Sequence, residues 1–369
     1  MCESGHACFP GYRALNYDES IGIFSGSFPV CAYRRRLVRA VPAARYHAGQ
    51  HGDLAMATTC VYLGQDLARY GFGDSHPFGP DRLDAFWRHA QVQGLAAKIT
   101  PCAPVSAPRE ALERFHDRDY VERVIRQSST GKGWLDQGDT PAFPGIHEAA
   151  CFIVGSVLDA VERLLEGRCT RAFVPIAGLH HARRDGAAGF CVYNDCGIAI
   201  ETLRRVHGVQ RVAYVDIDAH HGDGVFYGFE DDPDLLFADL HEDGRYLYPG
   251  TGAADETGTG LAEGCKLNIP LPPGAGDEAF FEAWQRVERY LEAHAPEFIL
   301  FQCGADSIDG DPITDLRLTP AAHRHAATRL CVLADRHCQG RLLVMGGGGY
   351  NRSNLARAWS AVLEALLAS

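Results

Sequence analysis

The sequence predicts an α/β fold on a mainly parallel sheet, and three observations carry that prediction. From Thr58 onward, short apolar runs rich in Val, Ile, Leu and Phe alternate with longer stretches of helical periodicity, the pattern of repeated βα units. Polar, chemically capable residues fall just after several of these runs, and in open parallel sheets ligands bind at the carboxyl ends of the strands. No repeat or Ser/Pro-rich linker interrupts residues 58–369. A chain of 369 residues has room for one large domain or two smaller ones, and the uninterrupted pattern favours one.

Taken in order, the expected strands are 172–176 (AFVPI), 211–218 (RVAYVDID), 235–240 (LLFADL), 266–271 (KLNIPL), 298–302 (FILFQ) and 341–345 (RLLVM), each a short apolar run. Helical periodicity places helices over 147–165, 196–206, 277–293, 320–336 and 354–367. Residues 1–57 read differently. They hold no lysine, several Gly and Pro, and an Arg cluster at Arg34, Arg35, Arg36 and Arg39, so a poorly ordered extension is expected. Met56 suggests that translation begins there, which mass spectrometry of the native N-terminus tests.

Composition excludes several function classes. Thirty-five Lys and Arg against 47 Asp and Glu leave a formal charge of −12, which disfavours direct nucleic-acid binding. Residues 1–55 carry six Arg against four acidic residues, so the acidity belongs to the remainder of the chain. The 13 cysteines are odd in number, scattered and without a C-x-x-C, against both a disulfide framework and a zinc knuckle. No apolar stretch has the roughly 18 residues of a membrane span, and the start lacks a secretory signal. A soluble cytoplasmic protein is the expectation, with oligomeric state left open.

Three segments collect the chemistry. The first is Val212-Ala213-Tyr214-Val215-Asp216-Ile217-Asp218-Ala219-His220-His221-Gly222-Asp223-Gly224. Alternation puts Asp216 and Asp218 on one face of an apolar strand, a costly arrangement unless a cation or hydrogen-bond donor meets each carboxylate. A metal ion is the natural partner. His220 follows, and the 298–302 strand delivers Asp306 beyond its end, so Asp218, His220 and Asp306 make a three-ligand site with a position open for water. The second segment, Ile176 to Arg183, contains His180 and His181, which near such a water could act as base and acid, with Asp216 and Asp223 left to orient them. The third is a strand entering Gly346-Gly347-Gly348-Gly349-Tyr350, a turn able to present Tyr350 as an oxyanion donor. A dinucleotide loop would need a following strand with an acidic residue about 20 positions on.

These motifs, with Ser75-His76-Pro77-Phe78 and Arg82, Phe115-His116-Asp117 and Tyr120, Gly189-Phe190-Cys191 with Asn194-Asp195, Tyr248-Pro249-Gly250-Thr251-Gly252 and Gln302-Cys303-Gly304-Ala305-Asp306, run in one order from about Tyr70 to the C-terminus. In that order the sequence resembles the histone deacetylase family, in the class I-like branch that includes bacterial acetoin-utilisation proteins. The resemblance implies a three-layer α/β/α fold around an eight-stranded, mainly parallel sheet, shared with arginases. It implies Zn²⁺ on Asp218, His220 and Asp306, with Fe²⁺ as the alternative because a one-His, two-carboxylate set is harder than a thiolate site. It also implies His181 as main general base and acid, His180 as electrostatic partner, Asp216 and Asp223 as supports for His180 and His181, and Tyr350 as the group that polarises the acyl oxygen. Gly189, Phe190, Tyr248 and Ile313 look like the substrate channel, and Arg82 like the residue near the acetate exit. Asp216, Asp218, His220, Asp239 and Leu240 would make a structural K⁺ or Na⁺ site.

Two positions depart from the family pattern. Asp239 stands where the family usually has Ser, and Tyr248 where the channel aromatic is usually Phe. The function implied is metal-dependent hydrolysis of the amide of N-acetyl-lysine, or of a related acylated primary amine, by metal-activated water with release of acetate. Its partners would be an acetylated protein or peptide, or a small acylated amine such as an acetylpolyamine, with no nucleic acid and no membrane, in a bacterial cytoplasm. Two rival classes are a binuclear manganese ureohydrolase, which needs more Asp and His ligands, and a non-catalytic acyl-lysine reader, which needs no proton-transfer pair.

Overall fold

Six of the eight strands in the computed structural model, which describes residues 58–73 and 76–369, fall where apolar runs place them. The strands are β1 (Thr59–Tyr62), β2 (Thr100–Cys102), β3 (Arg171–Val174), β4 (Val212–Asp216), β5 (Leu235–Glu242), β6 (Lys266–Leu271), β7 (Phe298–Gln302) and β8 (Leu342–Met345). They form one sheet in the order β2-β1-β3-β8-β7-β4-β5-β6, and every pairing is parallel, so "mainly parallel" becomes wholly parallel among the described residues. The strands other than β2 are buried along nearly their full length, which is why they read as continuous apolar runs instead of alternating ones.

The helices are α1 (Gln65–Ala68), α2 (Arg82–Val92), α3 (Arg109–Leu112), α4 (Arg118–Thr130), α5 (Ile146–Leu165), α6 (Asp195–Arg205), α7 (Asp223–Gly228), α8 (Asp277–His294), α9 (Pro320–His337) and α10 (Arg352–Ala368). α10 packs between α2 and α9, and α9 also packs on α8, while α5 packs on α6 and on β3 and β8, giving helices on both faces of the sheet. Three helices start where a side chain satisfies their free N–H groups. Asn194 caps α6, Thr319 followed by Pro320 caps α9, and Asn351 caps α10. No helix of the described residues is long and apolar enough to cross a membrane.

The differences from expectation have local causes. β2 is only three residues, two of them exposed, with Pro101 in the middle; its edge position tolerates a residue that cannot donate a ladder bond. β1 is four residues long, too short for a periodicity to show. The 211–218 run ends as a strand at Asp216, and Asp218 lies beyond its tip, where its N–H donates to Asp216 Oδ1 (3.0 Å). α1, α2, α3, α4 and α7 lie outside the five expected helical stretches. The extension at 1–57, its Arg cluster, Met56 and Ser75 lie outside the described residues.

Candidate active site

The start of α6 builds one wall of the site. The Asn194 side chain accepts from Gly197 N (2.8 Å), closing the first turn, and its Nδ2 donates to Ala182 O (2.9 Å). Beside it the Asp195 carboxylate accepts from Gly178 N (2.9 Å) and Leu179 N (3.1 Å). Burial raises the Asp195 pKa to about 6, against the pull of those two amides. The helix cap thus pins the turn that carries His180 and His181 beyond β3.

Three other strand ends supply the remaining groups. Asp216 closes β4 and accepts from Tyr214 Oη (2.5 Å) and His180 Nδ1 (2.7 Å). Gln302 closes β7 and donates from Nε2 to Asp218 Oδ2 (2.8 Å), which also accepts from Gly348 N (2.8 Å) in the turn after β8. Asp306 Oδ1 accepts from Ala219 N (3.0 Å), while Asp306 Oδ2 is buried without a hydrogen-bond partner. His220 Nδ1 lies 3.0 Å from Asp218 Oδ1 and 3.2 Å from Asp306 Oδ2. One ligand atom from each of Asp218, His220 and Asp306 lies within 4.8 Å of the others.

The electrostatics of this trio fit a divalent cation. Burial works against a charged His220 ring, yet the adjoining carboxylates of Asp218 and Asp306 push it up to about 10. Burial and the neighbouring Asp218 raise Asp306 to about 7, whereas His180 and His220 outweigh burial and hold Asp218 well below the usual carboxylate range. A buried pocket of two carboxylates and one imidazole, with one oxygen lacking a hydrogen bond, offers a cation the place that the His220 proton otherwise fills. Gly348 keeps the space open: a Cβ there would sit 1.9 Å from Asp306 Oδ2.

The paired histidines differ in charge state. His181 Nδ1 lies 2.6 Å from Asp223 Oδ1, and the two Nε2 atoms of His180 and His181 are 3.1 Å apart. Burial disfavours the charged form of His180, but Asp216 and Asp218 outweigh it and raise the ring to about 10. Burial and the charge on His180 lower His181 to about 4 despite Asp223. With those shifts His181 is a neutral ring whose Nε2 lone pair faces the Nε2–H of an imidazolium His180.

These groups face a narrow cleft lined by Phe78, Leu179, His181, Gly189, Cys191 and Tyr350 among others. Gly189 (φ 52°) lets the wall approach His181; a Cβ there would lie 2.5 Å from its Cδ2. The Tyr248 ring meets His181 edge-on at 5.1 Å, and Phe190 meets Tyr350 at 5.8 Å. Of the expected channel residues Gly189 is in this lining and Phe190 and Tyr248 adjoin it through those ring contacts, while Ile313 and Arg82 stand apart. Ile313 is half-buried, its N–H donating to Asp311 Oδ1 (3.2 Å). Arg82 is fully buried behind the glycine turn, donating to Gly349 O (3.0 Å) and Gly347 O (2.5 Å).

Asp239 is register partner to Asp216, and Leu240 follows it, buried in β5. Both Asp239 oxygens are engaged, Oδ2 by Gly222 N (2.8 Å) and Oδ1 by His241 Nδ1 (2.8 Å), and His241 Nε2 lies 2.9 Å from Gly252 O. The extra carboxylate is met by a neighbouring imidazole. The supporting parts of Gln302, Asp195, His241 and Asp311 were not assigned from the sequence. A polar residue closing an apolar strand marks Gln302, and one opening a helix marks Asp195.

A family profile described as the histone deacetylase domain matches residues 76–366. The chain is 36% identical over 303 residues to the acetoin utilization protein AcuC of Bacillus subtilis (strain 168), covering 79% of this chain and 78% of that protein. It is 33% identical over 320 residues to AcuC of Staphylococcus xylosus, covering 84% and 83%. Among solved structures the HDA15 HD domain superposes with a TM-score of 0.78 at 30% identity, covering 85% of this chain and 89% of that one.

Proposed function

Since the chain belongs to the histone deacetylase family, we propose that residues 58–369 form a metal-dependent deacetylase domain that hydrolyses the amide of N-acetyl-lysine or a related acylated primary amine. The observation that carries this reading is the buried Asp218–His220–Asp306 trio, with its unpaired oxygen, facing a pair of histidines that each hold their own carboxylate.

Asp218, His220 and Asp306 would hold Zn²⁺, or Fe²⁺, which supplies Lewis acidity toward the acyl oxygen and the attacking water. His181 Nε2 takes the proton of that water as it attacks the carbonyl carbon, and Asp223 at Nδ1 keeps the tautomer and steadies the imidazolium that forms. His180, already charged on Asp216, stabilises negative charge developing on the substrate. The Tyr350 hydroxyl donates to the acyl oxygen in the tetrahedral species, a contact stronger there than in the planar amide. His181 then returns its proton to the leaving amine, and acetate departs. The acidity of the domain favours an amine-bearing substrate, which is cationic once released. A structural K⁺ or Na⁺ would be held among Asp216, Asp218, His220, Asp239 and Leu240, each Asp239 oxygen keeping a lone pair beyond its one hydrogen bond. The bacterial origin of the relatives supports a bacterial cytoplasmic setting.

The test is a panel of acetylated peptides, acetylpolyamines and longer acyl-lysines compared by kcat/KM, using protein reconstituted separately with Zn²⁺, Fe²⁺ and Co²⁺. Turnover of at least one acetylated amine is expected. No turnover with any of the three metals would refute the assignment and favour an acyl-lysine reader.

A further inference from the structure

Asp311 is a buried carboxylate beside this site that the reaction above does not use. Its oxygens bind main-chain amides. Oδ2 accepts from Tyr350 N (2.8 Å) and Asn351 N (3.3 Å), and Oδ1 accepts from Ile313 N (3.2 Å). One side chain therefore ties the loop beyond Asp306 to the residue that carries the phenol.

On the other side the chain enters Tyr350 through four glycines, whose carbonyls at 347 and 349 accept from Arg82 and whose Gly348 N–H donates to Asp218 Oδ2, so Asp311 is the anchor that acts on the Tyr350 amide itself. After Tyr350, the Asn351 side chain accepts from Ser353 N and Asn354 N and so fixes the first turn of α10. The N–H groups of Tyr350 and Asn351, immediately before that turn, are left to Asp311. The other polar anchor on the Tyr350 backbone is Arg352, which donates to its carbonyl (3.1 Å).

We propose that Asp311 is a positioning residue for the deacylation: by holding the Tyr350 amide it sets where the phenol stands over the acyl oxygen. The inference rests on the role given to Tyr350 above. It follows from the steep dependence of such donors on place, since a misplacement of about 1 Å costs roughly 100-fold in rate.

The experiment is a double-mutant cycle of Asp311→Asn and Tyr350→Phe on the metal-loaded full chain, reading kcat, KM, bound metal and melting temperature. Asn keeps the shape but offers one acceptor oxygen where the carboxylate offers two, and its amide group opposes either the Tyr350 or the Ile313 N–H. The expected result for D311N alone is a loss in kcat of roughly 10- to 100-fold, with KM within about threefold and the metal retained. In the Tyr350→Phe background, the same change should cost less than about threefold, because the group it positions is gone. An equal loss in both backgrounds, or wild-type kcat in D311N, overturns the inference while leaving the proposed chemistry standing. Near-wild-type turnover of Y350F overturns both. Should D311N not fold, D311E serves in the same cycle, since it keeps the carboxylate but shifts it by a methylene. Its loss should again depend on the Tyr350 hydroxyl, and an equal loss in both backgrounds again overturns the inference.

Discussion

Gly348→Ala offers a test of the metal site that leaves its ligands in place. A Cβ at 348 would stand 1.9 Å from Asp306 Oδ2 and 2.9 Å from Asp218 Oδ2, well inside the 3.0 Å that real Cβ contacts respect. Neither carboxylate can yield freely. Asp306 Oδ1 is tied to Ala219 N, and Asp218 Oδ2 to Gln302 Nε2 and to the amide of residue 348 itself. Gly348 does not have a positive φ, so alanine is conformationally tolerated there and the variant probes space alone. Disturbing groups that only orient ligands weakens metal binding by about 10- to 100-fold, and displacing a ligand oxygen should reach at least the upper figure. With free Zn²⁺ at about 1,000 times the wild-type Kd, metal-linked stabilisation is about 4 kcal/mol. A 100-fold weaker site keeps only about 1.4 kcal/mol. For a chain of this size that difference removes roughly 4 °C from the rise in melting temperature on adding metal. Thermal scans with and without Zn²⁺, joined to chelator competition for Kd, measure it. Binding within threefold of wild type would show that the cluster is not where the metal sits.

His181→Ala and Tyr350→Phe should each lower kcat by two or more orders of magnitude with metal still bound, the scale of a lost general base or oxyanion donor; near-wild-type turnover in either sinks its role. Asp195→Ala should destabilise the fold by about 3 kcal/mol or more in urea titrations, because it strands the buried amides of Gly178 and Leu179; a change under 1 kcal/mol would show that this cap is dispensable. Lys266 provides a pH signature away from the site. Its ammonium donates to Asp232 O (2.6 Å) and Leu235 O (2.8 Å), and burial lowers its pKa from 10.5 to about 7. Between those values the unfolded chain binds a proton that the folded chain has released, so stability rises with pH, by about 2 kcal/mol from pH 7 to 9. That figure is a ceiling, since both carbonyls favour the charged form. Lys266→Met should lose this slope, and a wild-type-minus-variant difference that stays flat across the range would refute it.

How much of this was legible beforehand depended on where burial leaves a mark in sequence. The runs at 266–271 and 298–302 coincide with β6 and β7 because a strand covered on both faces must be apolar throughout. The carboxylates and histidines stood out for the opposite reason: Asp216, Asp218 and His220 are charged or polar residues at the ends of such runs, where only a partner justifies them. The edge strand β2 left no mark, because two of its three residues face solvent. Asp239 was visible as a departure, but its partner His241, two residues along the same strand, was not read with it. Asp311 carries no periodic signal. Its partners are main-chain amides at residues 313, 350 and 351, and no pattern of side chains announces a backbone amide.

Strand order explains why the site comes together, and periodicity cannot supply it. The chain lays down β1 to β3 on one side and β4 to β6 on the other, and only then fills the gap with β7 and β8. The four central neighbours β3, β8, β7 and β4 are the strands whose carboxyl ends carry the His180–His181 pair, Tyr350, Asp306 and the Asp218–His220 ligands. The place where the winding reverses is therefore the place where the chemistry sits, as expected of open α/β sheets. Gln302 then has a structural reason to close β7: that strand lies between β8 and β4, so its side chain can reach Asp218 on one neighbour while Gly348 N reaches the same oxygen from the other. Asp218 Oδ2 takes both of its hydrogen bonds from residues at the ends of β7 and β8, so these two strands fix that ligand's place. The same two strands carry Asp306 and Tyr350, so the metal trio and the oxyanion donor share one pair of central strands.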